Sequence, residues 1–85
     1  MVPVTDRAPE SATEEVLARA HAFRERPAPE LCRAIRRAKG RSLEEVGAAL
    51  GVTGVTVGRW EKGERTPRGE LLVRYVNFLR RLEGI

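Results

Sequence analysis

The sequence predicts an all-α fold built around a helix-turn-helix unit, and three observations carry that prediction. Apolar residues recur at helical spacing along most of the chain. Ser and Thr stand where helices need caps. Residues 43–60, LEEVGAALGVTGVTVGRW, place small and apolar side chains where two helices joined by a tight turn must touch. No strand signal runs longer than Val55 to Val57, and there is neither an internal repeat nor a low-complexity tract. The bundle is expected to carry an extra N-terminal helix and a long apolar C-terminal helix.

Residues 1–9 read as a flexible tail. Ser11 with Glu14 three positions on matches a capping box, and Glu15 adds negative charge near the helix N-terminus. Val16, Leu17, Ala20 and Phe23 then form an apolar stripe, which predicts a buried face. Arg26-Pro27-Ala28-Pro29 breaks this helix, because each residue before a proline is pushed out of the α region. Pro29 suits the first turn of the next helix, Leu31, Ala34, Ile35 and Ala38 give its expected buried face, and Gly40 stops it.

Ser42 and Glu45 form a second capping box, opening a helix that runs to about Leu50. Gly51 supplies the left-handed turn, and Thr53 caps a third helix that reaches Glu61 or Lys62 and ends at Gly63. Residues 64–67 read as a loop. Residues 70–83 form the last helix, apolar at Leu71, Leu72, Val73, Tyr75, Val76, Phe78, Leu79 and Leu82. One buried stripe does not need that much apolar surface. A second partner is implied: the N-terminal helix, another protomer, or both. The expected organisation is a tail and accessory helix over residues 1–26 and a helix-turn-helix domain over residues 27–85.

Inside residues 43–60, Val46 and Leu50 face inward from the first helix, and Val57 and Trp60 from the second. Val52 plugs the corner, and Gly47 is small where the helices cross. The competing reading is an ordinary helical hairpin.

Eighty-five residues predict one small domain, without room for a separate ligand-sensing domain. The formal net charge is +4. Residues 1–26 hold four Lys/Arg against five Asp/Glu, and residues 27–85 hold twelve against seven. The positive charge thus belongs to the segment with the motif, and it favours partners bearing phosphate. The single cysteine, Cys32, precludes an internal disulfide and reads as a small buried residue. With one histidine and one cysteine, no metal site and no cofactor are expected. No apolar run approaches the roughly 18 residues of a membrane span, and no secretory signal pattern occurs. A cytoplasmic, nucleoid-associated protein is expected, with no membrane partner.

Residues 31–67 resemble the XRE-like family, the Cro and phage-repressor type of helix-turn-helix regulators. The resemblance runs through Arg36 and Gly40, the S-x-E-E of residues 42–45, the L-G-V of residues 50–52, and RWEKGERTP at residues 59–67. It implies a lambda-repressor-like bundle and a dimeric, sequence-specific DNA-binding protein whose recognition helix is residues 53–62. It also implies a structural pair between Arg36 and Glu61, with a phosphate contact by Arg36 as an alternative.

On that reading Thr53, Gly54, Val55 and Arg59 face base edges. Arg59 either donates two bonds to a guanine or contacts phosphate. Arg36, Arg41, Ser42, Thr56, Lys62, Arg65 and Arg68 are the candidate phosphate contacts, and Arg68 alternatively reaches a minor groove. Three positions depart from the family's pattern. Leu43 stands where a bracing glutamine is common. Gly54 and Gly58 replace polar base-readers, which permits either a close backbone approach or weak discrimination. Glu64 puts an acid near phosphate.

The leading expectation is a transcriptional regulator, a repressor, acting as a homodimer on double-stranded DNA and needing no small-molecule ligand. The alternative is a protein-interaction module on the same fold: an antitoxin, or an adaptor that binds polymerase or another regulator. Enzymatic activity is not expected. His21 has no nucleophile or carboxylate pair beside it in sequence, and G-V-T-G-V-T lacks the strand and lysine of a phosphate-binding loop.

Overall fold

Five α-helices make up the computed structural model, which describes residues 10–85. They are α1 (Glu10–Glu25), α2 (Pro29–Ala38), α3 (Leu43–Leu50), α4 (Gly54–Glu61) and α5 (Gly69–Glu83). No strand occurs among the described residues. The expected tail at residues 1–9 lies outside them.

The core forms where α2, α3, α4 and α5 meet. Cys32, Ile35, Val46, Leu50, Val57, Trp60, Tyr75, Leu79 and Leu82 are buried there, with Leu43, Val52, Leu71 and Phe78 packed at its edge. The rings of Trp60 and Tyr75 lie 4.7 Å apart at 51°, a tilted arrangement favoured by aromatic quadrupoles. A smaller cluster joins α1 to α5 through Ala22, Leu72 and Val76. α5 therefore buries two faces, and α1 covers the second.

Three local expectations are corrected. α1 begins at Glu10, so Ser11 lies within its first turn and is not its cap. The stripe of Val16, Leu17, Ala20 and Phe23 is exposed, and Ala22 is the residue α1 buries. A small side chain lets α1 approach α5 closely, and that contact turns the bulky stripe outward. On α2 the inward residues are Cys32 and Ile35, while Leu31, Ala34 and Ala38 are exposed. Arg36 must also point inward to meet α4, which rotates the helix away from the face that apolar spacing alone selects.

Candidate nucleic-acid interface

The α3–turn–α4 unit is built by local chemistry at each end and by a close backbone approach in the middle. Ser42 Oγ accepts from the Glu45 backbone N–H at 3.0 Å, and Glu45 Oε1 accepts from the Ser42 N–H at 2.9 Å. This closes the capping box. The Ser42 N–H, and then the Arg41 charge, hold the Glu45 carboxyl below its ordinary range. Gly51 adopts φ +76° and ends α3 in the left-handed conformation, which costs glycine little. Thr53 Oγ1 accepts from the Thr56 N–H at 3.2 Å and caps α4.

Gly47 is where the two segments touch. A Cβ there would sit 2.6 Å from the Val52 carbonyl oxygen and 2.9 Å from the Thr53 carbonyl carbon. Both are backbone atoms, so no side chain can yield. Val46, Leu50, Val57 and Trp60 close the interior behind this contact, and Val52 is half-buried at the corner.

Gly54 and Gly58 face α3. A Cβ on Gly54 would meet Glu44 Oε2 at 2.8 Å and the Glu44 nitrogen at 3.1 Å; one on Gly58 would meet Leu43 Cδ1 at 3.5 Å. The glycines let α4 lie against the first turn of α3, and Leu43 supplies an apolar brace. Spacing along α4 alone does not reveal this, because it depends on how α3 crosses.

Arg36 ties α2 to α4. Its Nε donates to Glu61 Oε2 at 2.7 Å, its Nη2 to Glu61 Oε1 at 2.9 Å and its Nη1 to the Arg41 carbonyl at 2.9 Å. Both side chains are largely buried, with 13% and 5% exposure. The bond from Glu61 raises the Arg36 pKa further above its usual value. All three guanidinium nitrogens are committed within the protein.

The other basic candidates divide into two sets. Arg41 is exposed, but it pairs with Glu45 at 3.1 Å and donates to the Lys39 carbonyl. Arg59, Lys62, Arg65 and Arg68 are also exposed. Among the described residues no hydrogen bond or ion pair engages their side chains. Thr56, Arg59, Arg65 and Arg68 line one groove together with Thr66 and Pro67. The groove runs beside α4 to the start of α5, where Arg68 stands at the N-cap position without a side-chain capping bond. Val55 on α4 and its N-cap Thr53 are exposed, and the Thr53 and Thr56 hydroxyls share a bond of 3.1 Å.

The described residues bring together no group of three or more His, Cys, Asp or Glu that could hold a metal ion. No described helix is long and apolar enough to cross a membrane.

No curated protein and no solved structure matches the chain. A family profile described as Helix-turn-helix matches residues 33–83, most of the chain and all of the α3–α4 unit. The protein belongs to that family, the XRE type of DNA-binding helix-turn-helix regulators.

Proposed function

We propose that the protein is a sequence-specific transcriptional repressor that inserts residues 53–62 into the major groove of double-stranded DNA as a homodimer. Residues 27–85 are the DNA-binding unit, residues 1–26 are accessory, and the protein acts non-enzymatically in the cytoplasm, on the nucleoid. The observation that carries this reading is the set of unpaired cations, Arg59, Lys62, Arg65 and Arg68, at the end of α4 and along the loop that follows. These four have no carboxylate partner among the described residues, and three of them, Arg59, Arg65 and Arg68, share one groove, which favours an anionic partner there.

Arg59 reads a base, with Thr53 and Val55 packing beside it and the backbone at Gly54 close to the groove. Lys62, Arg65 and Arg68 hold phosphates, joined by the Thr56 hydroxyl, while Arg41 stays paired with Glu45 and Ser42 caps α3. Arg36 braces α4 against α2.

Binding measured over a salt series tests the reading. Three phosphate-holding cations per protomer, doubled in a dimer, give a slope of about −5 in log K against log salt. Arg59→Ala lowers affinity for the selected site by about 1–3 kcal/mol and relaxes preference at one base pair. An equal loss on random DNA makes Arg59 a phosphate contact. The exposed Val55 between two glycines that face α3 favours a second reading, an apolar protein-docking surface. Binding that is indifferent to salt selects it.

A further inference from the structure

α1 turns its apolar side away from the protein to which it is attached. Val16, Leu17 and Phe23 are 62%, 58% and 58% exposed, and Ala20 is exposed between them. These residues share one face at helical spacing. The opposite face of α1 meets α5 through Ala22, and the Glu25 carboxylate there is shared by His21 and by Arg80 of α5. α1 therefore has one face already partnered and one apolar face largely open to water, on which only the Phe23 ring carries a cover, the Arg26 guanidinium 3.8 Å from its centre.

We infer that the outer face of α1 is the homodimer interface, and that two copies of α1 pack antiparallel across a two-fold axis between Leu17 and Ala20. The inference rests on the homodimer reading above and assigns its surface. Charge order selects a second copy as the occupant. The acids Glu10, Glu14 and Glu15 precede the stripe, and Arg19 and Arg24 flank its later half. Glu10, Glu14, Leu17 and Arg24 fall on one flank of the helix at 100° per residue. A two-fold axis across the helix sets that flank against itself in reverse. It places the acids of each protomer opposite Arg24 of the other, and it opposes the two helix dipoles. A parallel pair would stack like charge on like charge. Ala20 near the axis lets the two backbones approach.

Two helices of 16 residues, each about 24 Å long, bury an area at the small end for specific interfaces. A small interface of this kind suits a dimer that two half-sites on DNA help to hold together.

The test uses the full chain, with mass measured by sedimentation across concentration. The expected result is a wild-type dimer and a V16E/L17E variant whose dimer dissociation constant rises at least tenfold, with helicity unchanged and, at dilutions where both chains are monomeric, the same melting temperature, because both positions are exposed. Arg24→Glu and Glu14→Arg each weaken the dimer, and the two together restore it. In a Cys32→Ala background, Ala20→Cys forms a crosslinked dimer on oxidation. A V16E/L17E protein that remains a dimer overturns the α1 interface and leaves the homodimer reading standing on another surface. A wild-type chain that is monomeric both free and on DNA overturns both.

Discussion

In the α3–α4 unit, Gly47 admits backbone atoms to within 3 Å of where a side chain would begin, and Val46 and Val57 are shut away from water. In α1, the bulky apolar residues face solvent and a single alanine makes the buried contact. Both regions join helices through small residues. In the first the small residue sits against peptide groups, which an added side chain could displace only by moving the backbone. In the second it sits against side chains of α5 that can adjust. The tight contact lies inside the helix-turn-helix unit, and α1 is held by a lighter seam that leaves its bulky apolar residues exposed.

Gly47→Ala tests the tight half and carries the largest expected effect. Alanine is favoured over glycine inside a helix by about 1 kcal/mol. Here a contact of 2.6 Å with a carbonyl oxygen must be relieved by separating α3 from the turn. The clash outweighs propensity, and urea denaturation should show a net loss of about 3 kcal/mol, at the upper end for overpacking. Gly58→Ala provides the contrast. Its Cβ would make an ordinary 3.5 Å contact with Leu43, so propensity wins and stability rises by somewhat under about 1 kcal/mol. Equal effects at the two glycines would dissolve the distinction between backbone and side-chain contacts.

The tie between α2 and α4 comes next. Arg36→Ala leaves the Glu61 carboxylate buried and without its partner, a cost of about 3 kcal/mol. Replacing Arg36 by Met and Glu61 by Leu together recovers most of that loss, because the penalty comes from the abandoned charge. The double variant, compared with wild type by denaturation and DNA binding, separates stability from the orientation of α4. If the single variant loses nothing, the pair is a surface contact and the tight region ends at α3.

How much of this was legible in the sequence follows the range of the interactions. The Ser42–Glu45 box and the turn at Gly51 span a few residues, and composition names them directly. The α1 stripe was legible as apolar but not as exposed, since periodicity identifies an apolar face without saying what covers it. α2 was turned by Arg36, whose partner lies 25 positions away; no local pattern marks that bond, and only the family resemblance pointed to it. At the candidate site, the family resemblance named the basic residues. Which of them are paired it could not name, because Arg41 is taken by Glu45 on the adjoining first turn of α3 while Arg59, Arg65 and Arg68 share an open groove. Gly54 and Gly58 looked like missing readers until the crossing of α3 showed what their size is for.

The junction of the two regions supplies the smallest effect. Tyr75 lies on α5 between the main core and the α1 seam. Its hydroxyl is buried with no hydrogen-bond partner among the described residues, and the nearby Cys32 thiol donates to the Pro27 carbonyl at 3.7 Å. Burial, and then the adjacent thiol, push the Tyr75 pKa well above its ordinary 10, and burial raises Cys32 above 9. Each folded-state pKa is higher than its unfolded value, so the folded chain keeps protons that the unfolded chain releases. Stability is therefore full below about pH 9 and falls as pH rises through 9 to 10 and beyond. Tyr75→Phe removes an unsatisfied buried hydroxyl and the larger of the two alkaline liabilities. It should gain about 1 kcal/mol at pH 7, and its advantage over wild type should widen above pH 10 in urea titrations at both pH values. Cys32→Ala should remove the onset near pH 9 and lessen the Tyr75 liability, to which the thiol contributes. A Tyr75→Phe variant less stable at pH 7, with an unchanged gap at high pH, would mean that the hydroxyl is bonded, and that the seam beside α1 is as tightly determined as the turn at Gly47.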